Sequence, residues 1–472
     1  MTSLVPAGWR LLPAAGAQVL RDGEVLLGGS PLRVLKLSAR ATGLVSGWLA
    51  GEPVGGEDAE RRLARRLLDA GLAHPDPPPS EADAIDEVTV IVPVYADPER
   101  LRACLAPLAG GPRVIVVDDG SPDPHAIATV AQEVGAQCLR HPENLGPAAA
   151  RNTGLRAVTT PFAAFLDADC VPPPGFPGRL LDHLVDPAVG LVAPRIVSVE
   201  RGRGPIAAYE RARSALDMGP RPALVRPYST VWYVPSAAML ARRDALGGGF
   251  DEGLVLGEDV DLVWRLHDAG WQVRYAPDVL VAHEDRVRPA AWYRRRIAYN
   301  ESVAPLLARH RERVPVLFLT PRAGLAWGAA LFGSPVGLLA LTALRCFRAH
   351  RALAPYVPGA GVRAARIGAE ITVREGRDLA RAVAGPWFPL AFGAAALARR
   401  RRRRLIRRLG ALLAAMALGD WLVDRPELGP VAYGALRLAD ESSRGLGIWI
   451  GCLRGRDLRA LLPRRPPPPH RR

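Results

Sequence analysis

At 472 residues the chain exceeds one small domain and has length for two or three units of ordinary size. Basic residues outnumber acidic ones by 15, yet Lys36 is the sole lysine and Arg, Ala, Gly and Pro crowd the rest, so the excess reflects composition bias as much as a selected anionic partner. The five cysteines (Cys104, Cys138, Cys170, Cys346, Cys452) are odd in number, scattered and without a CxxC pair, which excludes a disulfide scaffold and fits reduced thiols in a cytosolic protein.

The opening MTSLVPAGWRLLP has no basic stretch followed by a long apolar run, so no signal peptide is expected. Residues 1–79 form a small α+β module with its linker, closed by the breaker run His74 to Pro79. Gln18 to Leu20 and Val25 to Leu27 flank Asp22-Gly23, the pattern of a β-hairpin. Leu32 to Leu37 follows, then Asp58 to Ala70, where Leu63, Leu67 and Leu68 recur at helical spacing. Two readings stay open: a cap docked on the next domain, or a module that recognises a peptide, since hairpin plus helices resembles the winged-helix recognition modules of peptide-modifying pathways.

From Val88 the pattern changes. VTVIVPVY, VIVVDDGS and FAAFLDADC are short apolar strands with helical segments between them, which predicts an α/β domain over 80–312 with a mostly parallel sheet covered by helices on both faces. Ligands of such sheets sit at the carboxyl ends of the strands, and the polar residues there are Tyr95, Asp118, Asp119, Asp167 and Asp169. The remainder, 313–472, is Ala/Leu-rich and helical, with uncharged runs at Ala323 to Leu344 and Ala382 to Ala398 and an arginine block at Arg399 to Arg404. The first run is long enough to span a bilayer and the second marginally so. The eight arginines between them disfavour a two-pass anchor. The expectation is a surface-lying or re-entrant contact at the cytoplasmic face of the membrane, with a helical subdomain away from lipid as the alternative.

Three carboxylate clusters carry the chemistry: Asp118-Asp119, Asp167-Ala168-Asp169, and Glu258-Asp259 with Asp261. The DAD follows the apolar run Phe162 to Leu166, so it lies where a strand leaves the sheet, and two carboxylates there can grip Mn2+ or Mg2+ on a diphosphate. A turn-forming Asp pair is the alternative.

Five ordered segments, VIVPVYADPERL, VIVVDDGSPD, ENLGPAAARNTGL, FLDADCVPPPG and GGFDEGLVLGEDVDLVWRL, together resemble family 2 glycosyltransferases, which have the GT-A fold. The resemblance covers about Val88 to His310. It implies an inverting, metal-dependent transfer from a nucleotide-sugar donor. Pro93 and Tyr95 would border the nucleobase, Asp119 would accept a hydrogen bond from it with Asp118 beside it, and Arg151 would sit near the nucleotide. Asp169 would ligate the metal, Asp167 would touch the ribose or reach the metal through water, and His283 would complete the site or be a buried structural imidazole. Asp259 matches the catalytic base, while Glu258, Asp261 and Trp232 lie on the acceptor side, the two acids orienting the loop or binding hydroxyls.

The layout of GGSPLRVLKLS and LARRLLDAGLAHP before this domain, with an Arg-rich apolar tail after it, resembles the mycofactocin-system glycosyltransferases. That resemblance implies UDP-glucose as donor and a small peptide-derived acceptor, glycosylated repeatedly. QxxRW is absent as such, which disfavours a processive synthase. The competing readings are a cell-wall or lipid-linked polysaccharide transferase and an inactive nucleotide-sugar- or peptide-binding scaffold. Nucleic acid is not expected as a partner, because the arginines do not interleave with an aromatic platform.

Overall fold

The structure, a computed structural model, describes residues 3–29, 33–79, 82–199, 204–284, 288–310, 313, 317–356, 359–397 and 402–465. The first residue of the Leu32 to Leu37 stretch and part of the arginine block, residues 399–401, lie outside the described residues. The chain divides into two compact units, 1–200 with 214–285, and 201–213 with 286–472.

The first unit opens with β1 (Arg10–Pro13), β2 (Gln18–Leu20), β3 (Val25–Gly28) and β4 (Arg33–Lys36), then α1 (Ala39–Leu49), α2 (Asp58–Ala70) and β5 (Ala73–Asp76). The hairpin β2–β3 pairs Leu20 with Val25, and its turn places Arg21, Asp22 and Gly23 at positive φ. Helix α2 buries Leu67 and Leu68 and ends in a left-handed Gly71. It also buries Arg65, whose Nη2 reaches both oxygens of Asp186 at 2.6 and 2.7 Å. Asp69 accepts from the Gln272 amide, and its carbonyl accepts from Arg226 at 3.0 Å. The small module is thus fastened to the large sheet by buried polar contacts.

That sheet contains β6 (Val88–Val94), β7 (Arg113–Asp118), β8 (Gln137–Arg140), β9 (Phe162–Leu166), β10 (Cys170–Val171), β11 (Val189–Ser198), β12 (Ala223–Val225), β13 (Ala238–Arg242) and β14 (Gln272–His283). Its order is β10-β14-β11-β13-β9-β6-β7-β8, with β12 beside β14. The half β9-β6-β7-β8 is parallel. Strand β13 then enters antiparallel to β9 and β11, and β11 pairs parallel with β14. The helices are α3 (Pro98–Leu105), α4 (Pro124–Glu133), α5 (Pro147–Ala157), α6 (Gly178–Leu184) and α8 (Glu258–Asp268); α7 (Pro205–Arg213) belongs to the second unit.

All seven residues of β6 are buried, the pattern of a strand covered on both faces. Val88, Val90, Val92 and Val94 pack with Leu101 and Leu105 of α3 and Ile127 and Val130 of α4. Ile91, on the opposite face, meets α5, where a Cβ on Gly154 would come within 2.3 Å of it. This is the expected GT-A architecture, a mixed and largely parallel sheet between helical layers.

The second unit is helical: α7, α9 (Pro289–Glu301), α10 (Val303–Arg309), α11 (Pro321–Phe332), α12 (Val336–Leu353), α13 (Ala360–Ala384), α14 (Phe388–Leu397), α15 (Arg402–Asp424) and α16 (Pro430–Arg454). The segment 289–309 thus lies in the helical unit. The run Ala323 to Leu344 is broken: α11 stops at Phe332 and α12 starts at Val336, because Pro335 cannot donate into a continuing helix. The second run breaks likewise at Gly385-Pro386. Among the described residues no helix is long and apolar enough to cross a membrane.

Candidate active site

Four loops meet at the carboxyl ends of the parallel strands. The first two come from β6 and β7, locked together where the Asp119 amide donates to the Val94 carbonyl at 2.9 Å. Pro93 is buried in the strand and Tyr95, just past its end, is 53% exposed. Ala96 takes a left-handed φ of 58° and donates its amide to Ser121 Oγ at 2.9 Å. Asp118 is buried and turned inward: Oδ1 accepts from the Ser121 amide, and Oδ2 pairs with Arg140. Gly120 is required here, since a Cβ at its φ of 74° would lie 2.4 Å from the Glu143 backbone.

Asp119 takes partners that its residue type alone did not announce. Oδ1 accepts from the Leu145 amide at 2.9 Å and pairs with His141 Nδ1 at 2.8 Å, and Oδ2 accepts from the Gly146 amide at 2.9 Å. His141 Nε2 in turn meets Thr153 Oγ1 at 2.8 Å. The carboxylate therefore shapes the loop that starts α5, and any nucleobase contact uses what acceptor capacity remains. His141 and Thr153 were not singled out in the sequence; a histidine just past a strand end was the only signal.

Arg151, expected near the nucleotide, is 3% exposed and bridges two acids. Nη2 donates to Asp167 Oδ1 at 2.6 Å and Nη1 to Glu258 Oε1 at 2.9 Å, while the guanidinium lies 5.4 Å over the Phe250 ring. Burial opposes its charge, but Asp167 and Glu258 more than offset that and raise its pKa. One arginine thus ties the DAD loop to the start of α8.

In the DAD loop the Asp167 amide donates to the Ala237 carbonyl of the neighbouring strand segment, and Cys170 returns as β10 to pair with β14. Cys170 lies opposite His283, which brings His283 Nε2 to 3.5 Å from Asp169 Oδ2. Asp169 and His283 are the side chains that could hold a divalent cation, with Asp167 two residues before Asp169 and its Oδ1 engaged by Arg151. Among the described residues no cluster of three or more His, Cys, Asp or Glu is preformed as a metal cage; an ion held by Asp169 and His283 would have to take its other oxygens from diphosphate and water. Burial, then the charges of Asp167 and Asp169, push the Cys104 and Cys170 thiols up, so both stay protonated and inert.

Asp259 sits in the first turn of α8, Oδ1 accepting from the Val260 amide at 2.7 Å and Oδ2 lying 3.4 Å from the Ser236 amide. It keeps part of its surface open although protein atoms surround it. Burial, then the neighbouring Glu258 charge, push it up to about 7. Asp261 faces away, paired with Arg265 at 2.6 Å, and Arg265 also donates to the Gly249 carbonyl. Trp232 is 39% exposed, 4.5 Å from the Tyr233 ring and 5.8 Å from Trp264. Its carbonyl accepts from Trp264 Nε1, so the segment from Trp232 to Ser236 runs beside α8 and ends at Asp259.

Residues 89–247 match the family described as Glycosyl transferase family 2. The pre-mycofactocin glycosyltransferase of Mycobacterium tuberculosis is 42% identical over 97% of this chain and 98% of its own length. Glycosyltransferase AglE of Haloferax volcanii is 28% identical over 42% of this chain and 67% of its own. Among solved structures, a mannosyltransferase of Pyrobaculum calidifontis is 23% identical, covers 62% of this chain and 82% of its own, and overlays with a TM-score of 0.38.

Proposed function

This chain belongs to glycosyltransferase family 2, and from that premise we propose that it is an inverting hexosyltransferase acting on pre-mycofactocin, a small peptide-derived acceptor, with UDP-glucose as donor. The observation that carries the mechanism is the Arg151 bridge, which holds the donor-side Asp167 and the base-side Glu258 on one guanidinium. The acceptor and the full-length layout rest on the 42% identity to the Mycobacterium tuberculosis relative.

Pro93 and Tyr95 border the nucleobase, and Asp119 orders the loop beneath it. Asp259 removes the proton of the acceptor hydroxyl as its oxygen attacks the anomeric carbon; a carboxylate whose pKa lies near 7 has a proton affinity matched to that task at neutral pH. Attack from the face opposite the diphosphate inverts the anomeric configuration in one displacement. Asp169 and His283 would hold Mn2+ or Mg2+, which would offset charge on the departing diphosphate. Trp232 offers a flat apolar face to the acceptor, while Glu258 and Asp261 fix the loop that carries the base. The protein works peripherally at the cytoplasmic face of the membrane.

The test is transfer itself: purified chain, UDP-glucose and pre-mycofactocin should yield products heavier by whole hexoses in mass spectrometry. Chelator should abolish the increment and added manganese restore it. Donor hydrolysis with no hexose on this acceptor, alongside a changed envelope glycan in cells lacking the protein, would favour the cell-wall polysaccharide reading.

A further inference from the structure

In the second unit, α14 stands apart from every other helix. Its ten residues, FPLAFGAAAL, are all uncharged, yet none is buried. Phe388 is 59%, Leu390 63%, Phe392 67% and Leu397 84% exposed. A helix apolar on all sides normally lies inside a core or in lipid, because water gives its outer side chains nothing in return. The same region carries more bare apolar surface. Arg408 of α15 donates to the Ala330 and Leu331 carbonyls at the end of α11, where Phe332 and the following Val336 are exposed. Leu331 at the end of α11, Ala391 of α14 and Leu409 of α15 pack against one cluster, so the end of α11 and α14 adjoin the first turns of α15, with the start of α12 following α11 after three intervening residues.

Those first turns are cationic. Arg403, Arg404 and Arg407 are exposed, and no Asp or Glu occurs in residues 317–369 or 379–419. Apolar surface bordered by uncompensated arginine fits the boundary of an anionic lipid leaflet, where the rings enter the acyl region and the guanidinium groups meet phosphates. Helix length sets the depth: ten residues rise about 15 Å, half of a hydrocarbon core of about 30 Å. A two-fold contact with a second copy fits less well, because it would bring two patches bordered by the same uncompensated positive charge together.

We propose that α14, with the adjoining ends of α11 and α12, is a monotopic wedge that enters one leaflet of an anionic membrane, with the arginines of early α15 reading the lipid charge. The proposal deepens the peripheral siting given above and is independent of which sugar or acceptor the enzyme uses.

The experiment is co-sedimentation of the full chain with vesicles of phosphatidylcholine alone or rich in phosphatidylglycerol, with UDP binding and circular dichroism followed in parallel. Binding should favour the anionic vesicles about tenfold or more and weaken with salt. The double variant Phe388→Ser/Phe392→Ser should lose about tenfold in partition, with UDP affinity and helicity unchanged. The surface variant Arg403→Gln/Arg404→Gln/Arg407→Gln, which disturbs no core contact, should lose the preference for anionic lipid. Wild-type protein left in the supernatant, equal binding to both vesicle types, or undiminished binding of the Phe388/Phe392 variant overturns the wedge. So does a dimer in sedimentation velocity that this variant dissociates without any vesicle binding. Failure of hexose transfer in the same preparation would bear on the enzymatic reading and leave the vesicle result standing.

Discussion

In the first unit apolar strands fill the interior and the candidate site carboxylates collect where strands end, whereas the second buries an ion network among its helices and leaves much apolar surface exposed. Asp420, Arg437 and Glu441 are each 1% exposed and linked by contacts of 2.7 and 2.8 Å, while Leu325, Val336 and Leu397 stand mostly open. The contrast shows two ways of using polarity. The sheet spends burial on a rigid frame and keeps Asp169 and Asp259 reachable at its rim. The helical unit holds an internal ion network centred on Arg437 and leaves apolar faces exposed.

The largest effect is expected on removing the centre of the network. Arg437→Ala removes the cation that Asp420 and Glu441 share and leaves Asp420 to Arg377 and Glu441 to Arg381 and Arg444, so the cost should be about 3 kcal/mol. Urea denaturation followed by helical ellipticity reads it, and a loss under about 1 kcal/mol would show the network to be incidental. Arg65→Ala tests the counterpart in the first unit, where Asp186 is 0% exposed; a loss of about 3 kcal/mol is expected there. Such a loss would mark the N-terminal module as part of the catalytic body, whereas peptide recognition alone would leave stability intact and raise only the acceptor KM.

At the rim the effects move from stability to rate. Asp259→Asn should cut turnover by about two orders of magnitude with UDP affinity nearly unchanged. Lost UDP binding with residual turnover high would make Asp259 a structural residue. The pH profile sharpens the same assignment. Because Asp259 is raised to about 7, its working, ionised form prevails above that value, and kcat/KM should fall about tenfold per unit below it. A profile flat down to pH 5 would contradict the assignment. Smallest in size, Trp232→Ala should raise the acceptor KM roughly threefold to tenfold while donor KM stays put, if the ring stacks on the acceptor.

How much of this was legible depended on whether local sequence held the answer. Strands β6, β7 and β9 were visible because each is a continuous apolar run ending in a polar turn, and α2 because its leucines repeat at helical spacing. The antiparallel entry of β13 and the return of β10 onto β14 were not, since they depend on pairing between segments more than 70 residues apart. At the site, DAD and the Glu258-Asp259 pair stood out by type and position. The bridge through Arg151 and the His141–Asp119 contact did not, because partners 107 and 22 residues away are chosen by the fold. Hydropathy over Ala323 to Leu344 overstated a span for a physical reason: averaging hides a single Pro335 that ends the helix.

The proposed transfer turns on one displacement assisted by Asp259, and the anomeric configuration of the product reports it. With UDP-glucose, whose glucosyl bond is α, proton NMR of the hexosylated acceptor should show only the β-anomer, formed by wild-type protein and nearly absent with Asp259→Asn. An α-linked product would mean retention, and the single-displacement mechanism would be contradicted.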